Sequence, residues 1–155
     1  MQEGGDEMKI KIICQKENYD EYKTMLESAG FTISTDAELT FKQDDYKQET
    51  FIGALNSKYE IIHYSKIVFV ESFGHEISLH TTDKTYIIRE KLYEVEGVLH
   101  DKDFIRINKS QIINKKAIKE IIPTFNSRIN LLMKNEQKLT VTRNYNQSFK
   151  RSIGL

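Results

Sequence analysis

From Thr50 onward the chain is a succession of short apolar runs, each cut off by turn-forming residues, and this pattern most limits what it can fold into. An amphipathic helix needs a longer stretch of 3.6-residue period. Runs this short, separated by Asn56-Ser57, Phe73-Gly74, Thr82-Asp83 and Lys134-Asn135, have the spacing of a meandering β-sandwich or barrel. Strands are expected at 51–55, 59–63, 67–71, 76–81, 84–88, 104–107, 117–124, 128–133 and 138–142. Only 89–99 departs from the pattern: Leu92, Val95, Val98 and Leu99 recur at helical spacing and predict one short helix. Pro123, the single proline, falls near the end of its strand, where a missing donor is tolerable at an edge or bulge. The residues after Thr142 are expected to close the chain with a helical turn.

The first third reads differently. Residues 1–7 are polar, contain a Gly-Gly pair and are expected to be disordered. Residues 8–14 alternate and then turn apolar, as a half-buried strand does. Asn18 and Glu21 have capping-box spacing and Gly30 is a stop, so a helix is expected over 19–29, with Tyr22, Met25 and Leu26 on one face. A second strand at 31–34 completes a small βαβ-like unit. The acidic stretch 36–49 reads as a connection with a short strand at 39–41. The chain thus divides into a small α/β segment, 1–47, and a mainly β unit, 48–155. The first segment is too short to hold a phosphoacceptor receiver domain. A unit below about 50 residues is marginal alone, so it is expected to dock on the larger unit or on a copy of itself.

The formal net charge of zero hides an asymmetry. Residues 1–50 carry 6 Lys/Arg against 12 Asp/Glu, whereas residues 102–155 carry 12 against 3. The centre of the basic part is 104–122, where Arg106, Lys109, Lys115, Lys116 and Lys119 meet only Glu120. Phe104, Ile105, Ile107, Ile112, Ile113, Ala117, Ile118, Ile121 and Ile122 are expected to anchor this stretch in a core while its cations stay in water. A basic run is most often just a solvated face, but one this unbalanced points to a nucleic-acid partner.

Other classes are disfavoured. No apolar run approaches the roughly 18 residues of a membrane span, and the start lacks a signal peptide's basic region and cleavage site, so a cytoplasmic protein is expected. Cys14 stands alone, which excludes an internal disulfide and any CxxC site, and reads as a small buried hydrophobe. His63, His75, His80 and His100, with Glu71 and Glu76, assemble a metal site only on paper, since His75 and His80 would face opposite ways in a regular strand. With no HExxH, GxSxG or phosphate loop either, neither catalysis nor a cofactor is expected.

The order FVES at 69–72, a polar loop with His75, EISLHT, REKLYEVEGVL, FIRINKSQIIN and LTVTRNY resembles the LytTR DNA-binding domain, the output module of LytR/AlgR-type bacterial transcription regulators. The resemblance covers about 50–152 and is to a stand-alone form without a receiver domain. It implies an elongated β domain that binds double-stranded DNA sequence-specifically, reading major grooves through loops between strands, with two copies on direct-repeat sites and a homodimer at least on DNA. It implies His75, Lys109 and Arg143 as contacts to base edges or nearby phosphates. Asn108 stands where many members have histidine, so if it reads a base the preferred sequence should differ. Chemistry fits these assignments: arginine's fork can read guanine bidentately, and lysine can do so less rigidly or hold a phosphate. Lys115, Lys116, Lys150 and Arg151 read as positioning charges on phosphates. Ser110 and Asn114 are assigned to closing a turn, Glu71 and Ser72 to shaping a loop, and Tyr145 and Phe149 to packing. The alternative is a protein-interaction or ligand-sensing module whose basic face binds an acidic partner, including the chain's own acidic segment.

Overall fold

The computed structural model describes residues 7–43 and 48–155, so residues 1–6 of the stretch expected to be disordered and residues 44–47 of the acidic connection lie outside the described residues. Strand β1 (Met8–Ile13) buries Ile10, Ile12 and Ile13, helix α1 (Lys16–Ser28) returns across it, and β2 (Phe31–Ile33) and β3 (Leu39–Lys42) flank it on either side, both parallel to it. Gly30, at φ +98°, supplies the left-handed step out of the helix. Two local expectations fail here. The helix starts at Lys16, which puts Asn18 inside its first turn and not at the N-cap, so no capping box forms; the Asn18 amide donates to Gln43 (3.2 Å). Met25 is half exposed, leaving Leu26 as the helix's buried residue.

The larger unit is mainly β. Strands β4 (Thr50–Leu55), β5 (Lys58–His63), β6 (Phe69–Phe73), β7 (Glu76–His80), β8 (Thr85–Ile88), β9 (Phe104–Asn108) and β10 (Gln111–Asn114) form one antiparallel sheet in the order β5-β4-β8-β7-β6-β10-β9. A second antiparallel sheet holds β11 (Ile118–Pro123), β12 (Ile129–Met133) and β13 (Lys138–Val141). Alternation along β6 and β10 sends Val70 and Ile112 to one face of the large sheet and Phe69 and Ile113 to the other. On the first face Phe51, Leu79 and Tyr86 pack against Val95, Val98 and Leu99 of helix α2 (Leu92–Leu99). On the second, the small sheet and helix α3 (Arg143–Ile153) bury Leu131, Met133, Tyr145 and Phe149. Gly53 is required in β4 because a Cβ there would lie 2.6 Å from both Ile62 and Tyr86.

Several expectations for the larger unit are corrected. The closing helical turn is an eleven-residue helix, so this unit has two helices, not one; Tyr145 and Phe149, four apart, give α3 an apolar stripe that its polar composition hides. Arg106 is buried rather than solvated, whereas Ile121 and Ile122 are exposed because β11 is an edge strand. Residues 111–114, absent from the expected strands, form β10, and the strand placed at 67–71 begins at Phe69 after a 3-10 turn at Tyr64–Lys66. Asn114 ends β10 as a cap, accepting from the Lys116 N–H (3.0 Å) and donating to the Ile67 carbonyl (3.0 Å).

Candidate nucleic-acid interface

Three turns stand side by side at one end of the larger unit. The β6–β7 turn carries Gly74, at φ +61°, and exposed His75. Next to it is the β9–β10 turn with exposed Lys109, joined by the Ser72 N–H donating to the Ser110 carbonyl (2.8 Å). The β13–α3 junction follows, where the Thr142 N–H donates to the Ile107 carbonyl (3.0 Å) and Arg143 opens the helix, exposed. His75, Lys109 and Arg143, 68 positions apart from first to last, are thereby brought into neighbouring turns. A fourth turn joins them: the Asn146 side chain donates to the Ser127 carbonyl (2.7 Å), fixing the β11–β12 turn beside the first turn of α3. That turn holds fully exposed Phe125 and, next to it, exposed Arg128. Sequence reasoning passed over both, although an aromatic among Pro123, Thr124, Asn126 and Ser127 was a signal.

The Lys109 turn is held from below. The buried Arg106 guanidinium donates to the Asn108 carbonyl (3.2 Å), to the Lys109 carbonyl and to Glu96 (3.1 Å), and Glu96 also meets Lys11 of β1 (3.1 Å). Asn108 donates to Gln111 (2.8 Å) and to the Thr140 carbonyl (2.9 Å) and accepts from the Ser110 N–H (2.9 Å). Both of its amide hydrogens are therefore committed inside the protein, which leaves no donor for a base edge.

The remaining cations separate. Lys115 donates to the Ser152 hydroxyl (2.8 Å), pinning the end of α3; Lys116 pairs with Asp103 (3.3 Å) and Arg151 with Glu38 (3.6 Å), both in the open. Among the described residues Lys109, Arg143 and Lys150 have no ion-pair partner. The N-terminal unit sits against α3 through Thr35, whose hydroxyl is 2.9 Å from that of Tyr145. Between its 35–38 loop and α3 lies a cleft of about 870 Å³ lined by Asp36, Glu38, Arg106, Arg143 and Lys150. The Ser34 hydroxyl holds the Asp36 carboxyl below the usual range, with Lys9 and Lys109 adding to the effect.

A profile of the LytTr DNA-binding domain matches residues 57–154. The chain belongs to the LytTR family. It is 35% identical to the sensory transduction protein LytT of Bacillus subtilis over 93 residues, 60% of this chain and 39% of that one. It is 34% identical to the transcriptional regulatory protein LytR of Staphylococcus aureus over 101 residues, 65% of this chain and 41% of that one. The chain thus spans about two fifths of the length of these curated relatives. A LytTr DNA-binding domain from Bacillus cereus superposes with a TM-score of 0.66 at 24% identity, covering 70% of this chain and 99% of that one, which shows the shared fold. In this LytTR unit the four neighbouring turns are built from strand ends and the start of α3. Among the described residues no group of three His, Cys, Asp or Glu could hold a metal, and no helix is long and apolar enough to cross a membrane.

Proposed function

We propose that this chain is a cytoplasmic, sequence-specific transcription regulator that reads the major grooves of double-stranded DNA through its turns. The observation that carries the reading is the set of hydrogen-bond-linked turns presenting His75, Lys109 and Arg143 to solvent. Arg143, unpaired and exposed, suits a guanine edge; Lys109 suits a guanine or a phosphate; His75 can donate to a phosphate or accept from a base. Lys150 and Arg151 on α3, with Lys116, suit phosphates, and Lys115 contributes by fixing α3. Asn108 acts by shaping its loop. Phe125 and Arg128 extend the contact surface, the phenyl ring suited to a thymine methyl or a base step. Two copies on direct-repeat half-sites is the expected arrangement. Selection of bound duplexes from a random pool tests this: a defined repeated motif is expected, with affinity falling steeply as salt rises. Recovery of no motif, or affinity indifferent to salt, would defeat it.

One contact favours a second reading, in which the basic face serves an acidic protein partner. Glu38 on Arg151, and Asp36 within the field of Lys109, place the chain's own acidic segment where such a partner would sit. Under that reading the selection above returns nothing.

A further inference from the structure

We propose that a chain of hydrogen-bonded side chains crossing the large sheet, centred on Glu71, sets the conformation of the turn that presents Lys109, which makes Glu71 and Gln111 positioning residues for DNA reading. The inference rests on the DNA-reading role proposed above for that turn. The chain starts at Thr85 on β8, whose hydroxyl is 3.1 Å from His80 Nδ1 on β7; His80 Nε2 is 2.8 Å from Glu71 Oε2 on β6. From the other side Gln111 Nε2 on β10 donates to Glu71 Oε1 (3.0 Å), and Asn108 Nδ2 on β9 donates to Gln111 Oε1 (2.8 Å). Asn108 then reaches the Thr140 carbonyl of β13 and, through Oδ1, the Ser110 N–H. Five adjacent strands of one sheet and one strand of the other are linked in this way.

The direction of the chain is fixed at its centre. A carboxylate only accepts, so Glu71 requires a donor from each side. That demand holds His80 with its proton on Nε2, a ring already held by stacking on Phe69 (4.1 Å between centroids, 13° between planes). It also orients the Gln111 amide with nitrogen toward Glu71 and oxygen toward Asn108. Asn108 must then point nitrogen at Gln111 and oxygen at Ser110, which is the orientation that closes the turn with Lys109 outward. Reversing one amide places donor against donor or acceptor against acceptor at the next link, so the arrangement holds as a unit. None of these side chains needs to touch DNA for the turn to depend on them.

The test uses the full chain with substitutions at position 111 and a compensating pair. Gln111→Met keeps volume and net charge but removes both links, and Gln111→Glu sets a carboxylate against Glu71. In the pair Glu71→Gln/Gln111→Glu the net charge is that of the wild type and every link returns: the new amide at 71 accepts from His80 and donates to the new carboxylate at 111, whose other oxygen accepts from Asn108. The readouts are the ratio of affinities for the selected and a random duplex, the exchange rate of the Ser110 amide proton, and the unfolding midpoint. Both single variants are expected to lower the affinity ratio by about tenfold, the scale of one base contact, and to speed Ser110 exchange, while the pair restores both. Should Gln111→Glu fail to fold, Gln111→Met and the pair carry the comparison. A Gln111→Met chain with the wild-type ratio overturns the positioning role. So does a loss in Gln111→Glu that is equal on both duplexes, since that is charge alone. A wild-type chain without sequence preference overturns the DNA-reading proposal instead, and Ser110 exchange still decides the positioning role.

Discussion

At the scale of single residues, exposure and pairing separate the cations that composition lumps together. Arg143 is exposed and unpaired at the start of α3, so Arg143→Ala should leave the unfolding midpoint near wild type while costing about 1–3 kcal/mol on the preferred duplex and relaxing its sequence preference. Lys150→Ala should weaken preferred and random duplexes alike and lower the salt slope by about one. Titrations at several salt concentrations measure both; equal losses on the two duplexes would remove Arg143 from base reading. Arg106 belongs to neither group: the sequence places it inside the expected strand 104–107 and Lys109 beyond it, but that placement does not by itself reveal that Arg106 is buried. What distinguishes it is Glu96, ten residues back on a helix, a tertiary contact that spacing alone does not reveal. Cys14 was legible as a buried hydrophobe. Burial first, then Glu94 and Glu17, pushes its thiol up to about 11, so the native protein at pH 8 should resist a thiol reagent that labels the urea-unfolded chain rapidly.

At the scale of elements, the strands that alternate cleanly were legible and the two that misled have identifiable reasons. Strand β10 follows Asn108-Lys109-Ser110 so closely, and is so short, that its four residues do not stand out as a separate strand in the sequence. It is pinned by β6 on one side and β9 on the other, with a register shift between Gln111 and Ile112. Strand β11 looked like a core strand from its isoleucines, but as an edge it leaves Ile121 and Ile122 in solvent. The junction of β9, α2 and β1 turns on one buried carboxylate, Glu96, held between Arg106 and Lys11. Removing one partner of a buried pair exposes the other to an unbalanced desolvation cost. Arg106→Ala should therefore lower stability by about 3 kcal/mol in urea unfolding and also loosen the Lys109 turn, whose carbonyls it holds. Arg128→Ala, at an exposed position, should not move the unfolding midpoint, and the contrast between the two arginines checks the assignment.

At the scale of the whole molecule, the charge division was visible in the sequence, but the way the two units meet was not. The least exposed ion pair across the boundary, Lys11 with Glu96, runs against the net charges: a cation of the acidic unit meets a carboxylate of the basic one. Ring contact between Tyr19 and Tyr93 (4.6 Å) and the Thr35–Tyr145 hydrogen bond add to the same join. Docking therefore does not depend on Asp36 and Glu38, and under the DNA-binding mode proposed above those two carboxylates would compete with DNA phosphates for Arg143, Lys109 and Arg151. The double substitution Asp36→Asn/Glu38→Gln in the full chain should keep the units docked and leave the unfolding midpoint within a few degrees of wild type. Affinity for preferred and random duplexes should rise together, by roughly 3- to 30-fold at low salt, with the gain shrinking as added salt screens it. The sequence preference should be unchanged, since neither carboxylate reads a base. A gain confined to the preferred duplex would mean that the 35–38 loop shapes the reading turns. No gain at all would mean that DNA approaches from the side of His75 and Phe125, clear of the N-terminal unit.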